Sequence, residues 1–131
     1  MKKIFLLYFI LISIKLAGQD YFQQEVNYNI NVTLDDKDHN LTGVIHIDYI
    51  NNSPDEINFI WFHIWPNAYK DNTTALAKQK REDGSKALYY AKEEERGYIN
   101  SLDFKVDGQK AEWKYHPEYI DICKVFLNKP L

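Results

Sequence analysis

Apolar and polar residues alternate along two neighbouring segments of this chain. Every second residue of segment 26–34 is apolar, and segment 41–50 shows a similar alternation after a polar cluster at 35–40. A period of two residues, with β-branched and aromatic side chains at the apolar positions, is typical of a strand with one buried face. The alternation therefore predicts two strands separated by a polar turn.

A third apolar segment, 57–65, carries apolar side chains on both of its faces. A strand of this kind is expected in the middle of a sheet that is covered on both sides. Pro66 is predicted to end the strand, because proline has no N–H to donate to a neighbouring strand.

Segment 67–97 differs in character from the strands before it. Residues 74–81 and 85–96 are each predicted to form a short helix, the second with a C-terminal cap at Gly97. Both helices have few apolar residues on any one side, which indicates that this segment lies on the protein surface. The prediction is a helical insertion around 74–96.

The dipeptide Asp107-Gly108 is the best hairpin signal in the chain, because a type I′ turn needs a positive φ at both central residues. The further strands are predicted at 98–106, 111–115 and 119–127. The fold class is therefore predicted to be all-β with a helical insertion.

The predicted strands have more inward-facing apolar surface than they can cover among themselves. The fold is therefore expected to be incomplete.

The start of the chain has the pattern of a secretory signal peptide. A methionine and two lysines precede an apolar run at 4–14, which is too short to span a bilayer and is followed by Ala17 and Gly18. The signal peptide is predicted at 1–18, and Lys15 within it argues against a stable membrane anchor. The protein is therefore expected to be exported, either to the periplasm or as a secreted product.

The charge and the cysteine content restrict the partners and the chemistry of residues 19–131. The whole chain has 16 Lys and Arg against 19 Asp and Glu, a net charge of −3, and loss of three lysines with the leader makes it −6. An acidic surface repels phosphate backbones, so no nucleic acid partner is expected. Cys123 is the single cysteine; it cannot form an internal disulfide and is predicted to be a buried, unreactive thiol.

The histidines and serines form no recognisable catalytic or metal-binding pattern. No H-E-x-x-H pair and no G-x-S-x-G frame is present. His46 and Asp48 share a strand face and are predicted to form a surface ion pair or hydrogen bond, since two ligands are too few for zinc. His63 is predicted to be a satisfied core or rim histidine, and His116 a turn residue. No catalytic, cofactor-binding or metal-binding residue is assigned.

Segment 61–69 is rich in aromatic residues. Aromatic rings stack on the apolar faces of sugars and anchor protein interfaces. Strand alternation explains most of these rings as core residues. Trp65 and Tyr69, at the end of the strand, remain as the candidates for contact with a partner or ligand.

Several short segments form a series along the chain, and FIWFHIWPNAY at 59–69 is the most specific of them. Together they resemble the opening of the aminopeptidase N family of zinc metallopeptidases, in particular its exported members from Bacteroidota. The resemblance covers nearly all of residues 19–131. The other segments are 28–35, 41–43, 49–54, 97–99, 106–108 and 125–131.

The resemblance implies an antiparallel β-sandwich or saddle that packs on a thermolysin-like catalytic domain. In the family that later domain carries H-E-x-x-H, a downstream glutamate ligand and G-x-M-E-N, none of which occurs here. Zinc is therefore expected only in the absent catalytic domain, and no cofactor is expected in this chain. Residues 19–131 are expected to form part of the family's N-terminal β-domain. The alternatives are a truncated gene product, a gene fragment and a split reading frame.

The expected function is that of a non-catalytic domain, which forms a wall of the substrate cleft and docks on the catalytic domain of the same family. A peptide substrate is expected only for the complete hydrolase. One alternative is a free-standing exported β-sandwich that binds glycans or protein partners. Another is an envelope assembly subunit that is completed by addition of a strand at an exposed edge.

Overall fold

A computed structural model describes residues 21–131, so the predicted signal peptide at 1–18 lies outside the described residues. The described residues divide into two compact units, the first ending at Asp55 and the second covering Glu56–Leu131. Among the described residues, no helix is long and apolar enough to cross a membrane.

A long antiparallel hairpin makes up most of the described part of the first unit. Strand β1 spans Glu25–Asp35 and strand β2 spans Asn40–Ile50. The two strands pair along their whole length, with Glu25 opposite Ile50 at the open end and Asp35 opposite Asn40 at the turn. The Asp35 carboxylate accepts hydrogen bonds from the backbone N–H groups of Lys37 and Asp38 and holds the turn. Both predicted strands are confirmed.

The register of the hairpin collects its alternating apolar residues on one side. Because directly opposite residues of an antiparallel pair share a face, pairs such as Ile30 with Ile45 place two apolar side chains together. No residue from 21 to 55 is buried, and Leu34 and Leu41 are 65% and 71% exposed. We call this set the hairpin face: Val26, Tyr28, Ile30, Val32, Leu34, Leu41, Gly43, Ile45, Ile47 and Tyr49.

A three-stranded antiparallel sheet is the centre of the second unit, with strand order β3-β7-β6. Strand β3 spans Phe59–His63, β6 spans Trp113–Tyr115 and β7 spans Ile122–Phe126. Backbone bonds of 3.0 Å in both directions between Ile57 and Leu131 continue the contact beyond β3 and β7. The last strand in the sequence is therefore the central strand of this sheet.

One face of this sheet carries the core of the second unit. Ile64, Ala111, Cys123 and Val125 are buried there, and Cys123 has no exposed surface. Burial raises the pKa of the Cys123 thiol, because the thiolate would lose its hydration. The prediction of a buried thiol is confirmed. The partly buried residues packed against this core are Phe62, Leu102, Phe104, Val106 and Trp113.

The prediction of a central strand at 57–65 is wrong. Strand β3 is shorter and lies at an edge of its sheet, and Phe59 and Trp61 on its outer face are 37% and 47% exposed. Residues Trp65–Tyr69 form a 3-10 helix instead, with Pro66 in its first turn. The strand has the two apolar faces that the sequence shows, but only one of them is covered by the core among the described residues.

The first predicted helix is confirmed as α1, Ala75–Glu82. The Thr74 hydroxyl accepts a hydrogen bond from the Ala77 N–H and caps the N-terminus. Gly84, with φ +82°, ends the helix in a Schellman motif, because left-handed backbone suits glycine. Its N–H donates to Arg81 O, and the Ser85 N–H donates to Lys80 O.

The second predicted helix, 85–96 with a cap at Gly97, is wrong in its length and its end. Helix α2 covers only Ala87–Tyr90, and a separate 3-10 turn covers Glu93–Glu95. Ala91, at ψ 135°, leaves the helical conformation between them. Gly97 has no left-handed backbone that would make it a cap. With no buried residue to hold it, this segment cannot sustain one continuous helix.

The predicted turn at Asp107-Gly108 is confirmed, with φ of +52° and +77° at its two central residues. It joins β4, Lys105–Val106, to β5, Gln109–Lys110. The strands predicted at 98–106, 111–115 and 119–127 are shorter than the sequence pattern indicates, since only β4, β6 and β7 form within them. The described chain is all-β with a short helical insertion, as predicted.

Candidate binding face

The outer face of the three-stranded sheet, opposite the core, is rich in exposed aromatic rings. Register places Phe59 opposite Phe126, Trp61 opposite Lys124, and Lys124 opposite Lys114, so these side chains share that face. We call this set the aromatic face: Phe59, Trp61 and His63 on β3, Lys124 and Phe126 on β7, and Lys114 on β6.

Lys124 lies at the centre of the aromatic face and is surrounded by rings. Its Nζ is 3.4 Å from the ring centroid of Phe59, 5.2 Å from that of Phe126 and 5.5 Å from that of Trp61. Lys114 Nζ lies 5.4 Å from the Phe126 centroid. Each of these distances is within the range of a cation–π interaction, which holds the ammonium groups over the rings.

His63 and Trp65 extend the aromatic face beyond the end of β3. The two rings stack with centroids 4.2 Å apart and planes at 30°. His63 Nε2 donates to Asp121 Oδ2 at 3.0 Å, and the Asp121 side chain is only 16% exposed. The prediction of a satisfied core or rim histidine at position 63 is confirmed, and its ring stacks on that of Trp65.

The two sequence-predicted contact residues lie at opposite ends of one 3-10 helix and have different neighbours. Trp65 is 60% exposed and stacks on His63. Tyr69 is 43% exposed and lines a cavity of about 440 Å³ beside the helical insertion. Both rings are accessible, but they line different surfaces. The other residues around this cavity are Lys80, Ser85, Ala87, Leu88, Ala91 and Glu95.

Asn67, which sequence reasoning did not single out, positions this 3-10 helix. Its side chain is 3% exposed, and its Oδ1 accepts a hydrogen bond from the Ile99 N–H at 2.8 Å. Its Nδ2 donates to Ile120 O at 3.2 Å. The amide therefore joins three separate segments and fixes the helix that carries Trp65 and Tyr69. The neighbouring Pro66 was the only local feature of the sequence that pointed to this position. A single buried amide cannot be recognised from the alternation of polar and apolar residues.

The remaining histidines do not form a reactive cluster. The predicted contact of His46 with Asp48 is wrong: among the ion pairs and hydrogen bonds of residues 21–131 none joins these two exposed side chains. His116 lies in a turn, as predicted, where its Nδ1 accepts from the Glu118 N–H. Within the described part of the chain, no group of three His, Cys, Asp or Glu side chains could hold a metal ion.

No family model, curated protein or solved structure matches this chain. The relation to the aminopeptidase N family stays a prediction from the sequence. The described residues leave two surfaces with exposed apolar side chains, the hairpin face and the aromatic face.

Proposed function

We propose that this chain is a non-catalytic N-terminal β-domain of an exported aminopeptidase-N-like zinc metallopeptidase. In this proposal it docks on the catalytic domain and forms one wall of the substrate cleft, while the zinc and the catalytic residues belong to the catalytic domain. The series of segments that resembles the family supplies the identity of the partner.

The observation that carries the docking role is the exposure of the hairpin face. Two paired strands with one apolar side are marginally stable alone in water, and they need a further layer to cover that side. The side chains at the middle of the face, Ile30 and Ile45, are 57% and 56% exposed. Contiguous apolar patches of this kind mark interaction surfaces in soluble proteins. A catalytic domain that follows in the same protein is the partner that best fits the resemblance.

The first test is the DNA beyond the codon for Leu131. We expect it to encode H-E-x-x-H within a few hundred codons, in the same frame or in a neighbouring one. A downstream region without that motif would reject the proposed family and the proposed partner together.

The second test is co-purification of this chain with the polypeptide that the downstream region encodes. Replacing Ile30 and Ile45 together by aspartate places two charges on the hairpin face and should weaken the association at least about tenfold. Asn29 and His46 form the next cross-strand pair, on the opposite face. The same replacement there is the matched control and should change the association less than about twofold. Equal losses in both pairs would contradict docking through the hairpin face.

A second candidate function rests on the exposure of Trp65. A tryptophan that is 60% exposed and has one face stacked on a histidine is suited to stack its other face on a sugar or on a partner side chain. In this case the chain is an exported binding module for glycans or protein partners. Binding of soluble oligosaccharides to the purified chain, lost in Trp65→Ala and retained in Tyr69→Ala, would favour this function.

A further inference from the structure

Two lysines face each other at the middle of the aromatic face. Lys114 and Lys124 are directly opposite in the β6–β7 pair, and like charges in this position repel. Neither is in any of the ion pairs that the described residues form. The sheet therefore holds two positive charges side by side without a carboxylate partner.

A second cross-strand lysine pair in the same unit has different neighbours and serves as a comparison. Lys105 and Lys110 are opposite each other in the β4–β5 hairpin, but Lys105 Nζ lies 3.9 Å from Asp103 Oδ2. This pair has a carboxylate nearby, and no aromatic ring of residues 21–131 lies within cation–π range of it. Only the pair on the aromatic face combines unpaired positive charge with exposed rings in this part of the chain.

The surroundings of Lys124 limit the kind of molecule that fits. Its ammonium lies over the rings of Phe59, Trp61 and Phe126, which removes part of its hydration on one side. A carboxylate that approaches from solvent meets two ammonium groups beside an apolar surface, where an ion pair gains more than in open water. A neutral sugar could stack on the rings but would leave both charges unpaired.

We infer that the aromatic face binds an extended acidic peptide segment of a partner protein. Carboxylates of the segment lie between Lys114 and Lys124, and its apolar side chains contact Phe59 and Trp61. The chain as a whole has a net charge of −3, which opposes an acidic partner elsewhere on its surface. Charge complementarity with such a partner is therefore local and comes from Lys114 and Lys124, which form no ion pair among the described residues. The inference stands independently of the proposed peptidase family.

The test measures binding of a fluorescein-labelled twelve-residue peptide of alternating glutamate and leucine to the purified chain, by fluorescence anisotropy at two salt concentrations. The matching lysine–leucine peptide is the control ligand. We expect the acidic peptide to bind at least about tenfold more tightly than the basic one, with weaker binding at higher salt.

Two double variants locate the site. Lys114→Glu with Lys124→Glu should weaken binding of the acidic peptide at least about tenfold. Lys105→Glu with Lys110→Glu makes the same change of charge at the other lysine pair and should alter binding less than about threefold. If circular dichroism shows that the first variant is unfolded, Lys114→Gln with Lys124→Gln replaces it, with the same direction of change and a smaller loss.

Two further measurements distinguish a peptide-binding face from a sugar-binding one. Trp61→Ala should weaken binding of the acidic peptide severalfold, because the Trp61 ring provides apolar contact surface beside the lysines. Cellohexaose and maltohexaose should not displace the peptide. The inference fails if the acidic and the basic peptide bind with equal affinity, or if the two double lysine variants lose the same amount of binding. It also fails if a hexasaccharide displaces the peptide and binds the glutamine variant as tightly as the wild type.

Discussion

The β1–β2 hairpin and the β3-β7-β6 sheet use the same alternation of residues with different results. The hairpin has the longer and more regular pairing, from Glu25 opposite Ile50 to Asp35 opposite Asn40, yet none of its residues is buried. The sheet has short strands, yet Cys123 and Val125 on its central strand are 0% and 3% exposed.

The difference lies in what covers each apolar face. In the second unit the β4–β5 hairpin and the loops before it bring Leu102, Phe104 and Val106 onto the inner face of the sheet. The described part of the first unit supplies no such layer. Strand pairing alone therefore does not make a core; a core requires a second layer that removes the apolar side chains from water.

The largest expected effect comes from truncating one isoleucine in each region. Ile64→Ala removes a side chain that is 8% exposed and should lower the free energy of unfolding by about 2–4 kcal/mol. Ile45→Ala, at a position that is 56% exposed, should lower it by less than about 0.5 kcal/mol. Urea denaturation of the purified chain measures both. Equal losses would mean that the hairpin face is covered as well as the core is.

The next largest loss of stability is expected when one threonine in each region is replaced by alanine. Thr74 is 5% exposed, and its hydroxyl donates to Ala68 O at 2.6 Å and accepts from the Ala77 N–H at 3.2 Å. Thr74→Ala should cost about 1–2 kcal/mol, because it removes a helix cap and leaves buried groups unpaired. Thr33→Ala, on the exposed polar side of the hairpin, should cost less than about 0.5 kcal/mol. Thermal denaturation compares the two, and a larger loss at Thr33 would contradict the capping role of Thr74.

Two glycines are expected to respond with opposite signs. Gly108 has φ +77°, so Gly108→Ala should destabilise the second unit by about 1 kcal/mol through backbone strain. Gly43 lies in regular strand, and an added Cβ would come 3.4 Å from Asn31 O. Gly43→Ala should leave stability unchanged or raise it by less than about 1 kcal/mol, since it lowers the entropy of the unfolded chain. A loss at Gly43 as large as that at Gly108 would show that the hairpin is strained there.

The smallest effect concerns the turn before α1 and depends on pH. The hydroxyl and the backbone N–H of Thr73 donate to the Asp71 carboxylate, and these bonds hold the pKa of Asp71 below its usual range. A lowered pKa stabilises the fold above the unfolded-state pKa, and this contribution is lost as pH falls through the folded-state pKa.

The direction in which Asp71→Asn changes stability, and how that change depends on pH, can therefore be predicted. The variant should be less stable near neutral pH, and the difference should shrink as the pH is lowered below about 4, the ordinary range of an aspartate. Denaturation curves at several pH values measure this difference. A difference that stays constant down to acidic pH would assign the loss to packing, not to the charge.

Several features of the fold could be predicted because they depend on neighbouring residues. The alternation at 26–34 and 41–50 is enough to predict β1 and β2, and their apolar positions indicate which face is shared. The turn at Asp107-Gly108 and the start of α1 after Thr74 follow from local backbone and capping preferences. Each of these signals lies within a few residues of the structure it predicts.

The candidate site could be predicted only in part. Trp65 and Tyr69 are accessible rings, but the contribution of Trp61 was missed because the two-sided pattern of 57–65 favoured a central strand. The pairing of Lys114 with Lys124 depends on which strands become neighbours, and no local pattern contains that information. Asn67 was missed for a similar reason, since its partners Ile99 and Ile120 are distant in sequence.

The sequence by itself determined strands β1 and β2, the turn at Asp107-Gly108 and the first helix. The physical reason is that side-chain period, positive φ and capping act between neighbours along the chain. Only the tertiary structure decided that β3 is an edge strand, that His63 meets Asp121 across a separation of 58 residues, and that two lysines share an aromatic face. These outcomes depend on contacts between distant segments, which form only when burial of apolar surface outweighs the entropy lost on closing the chain between them.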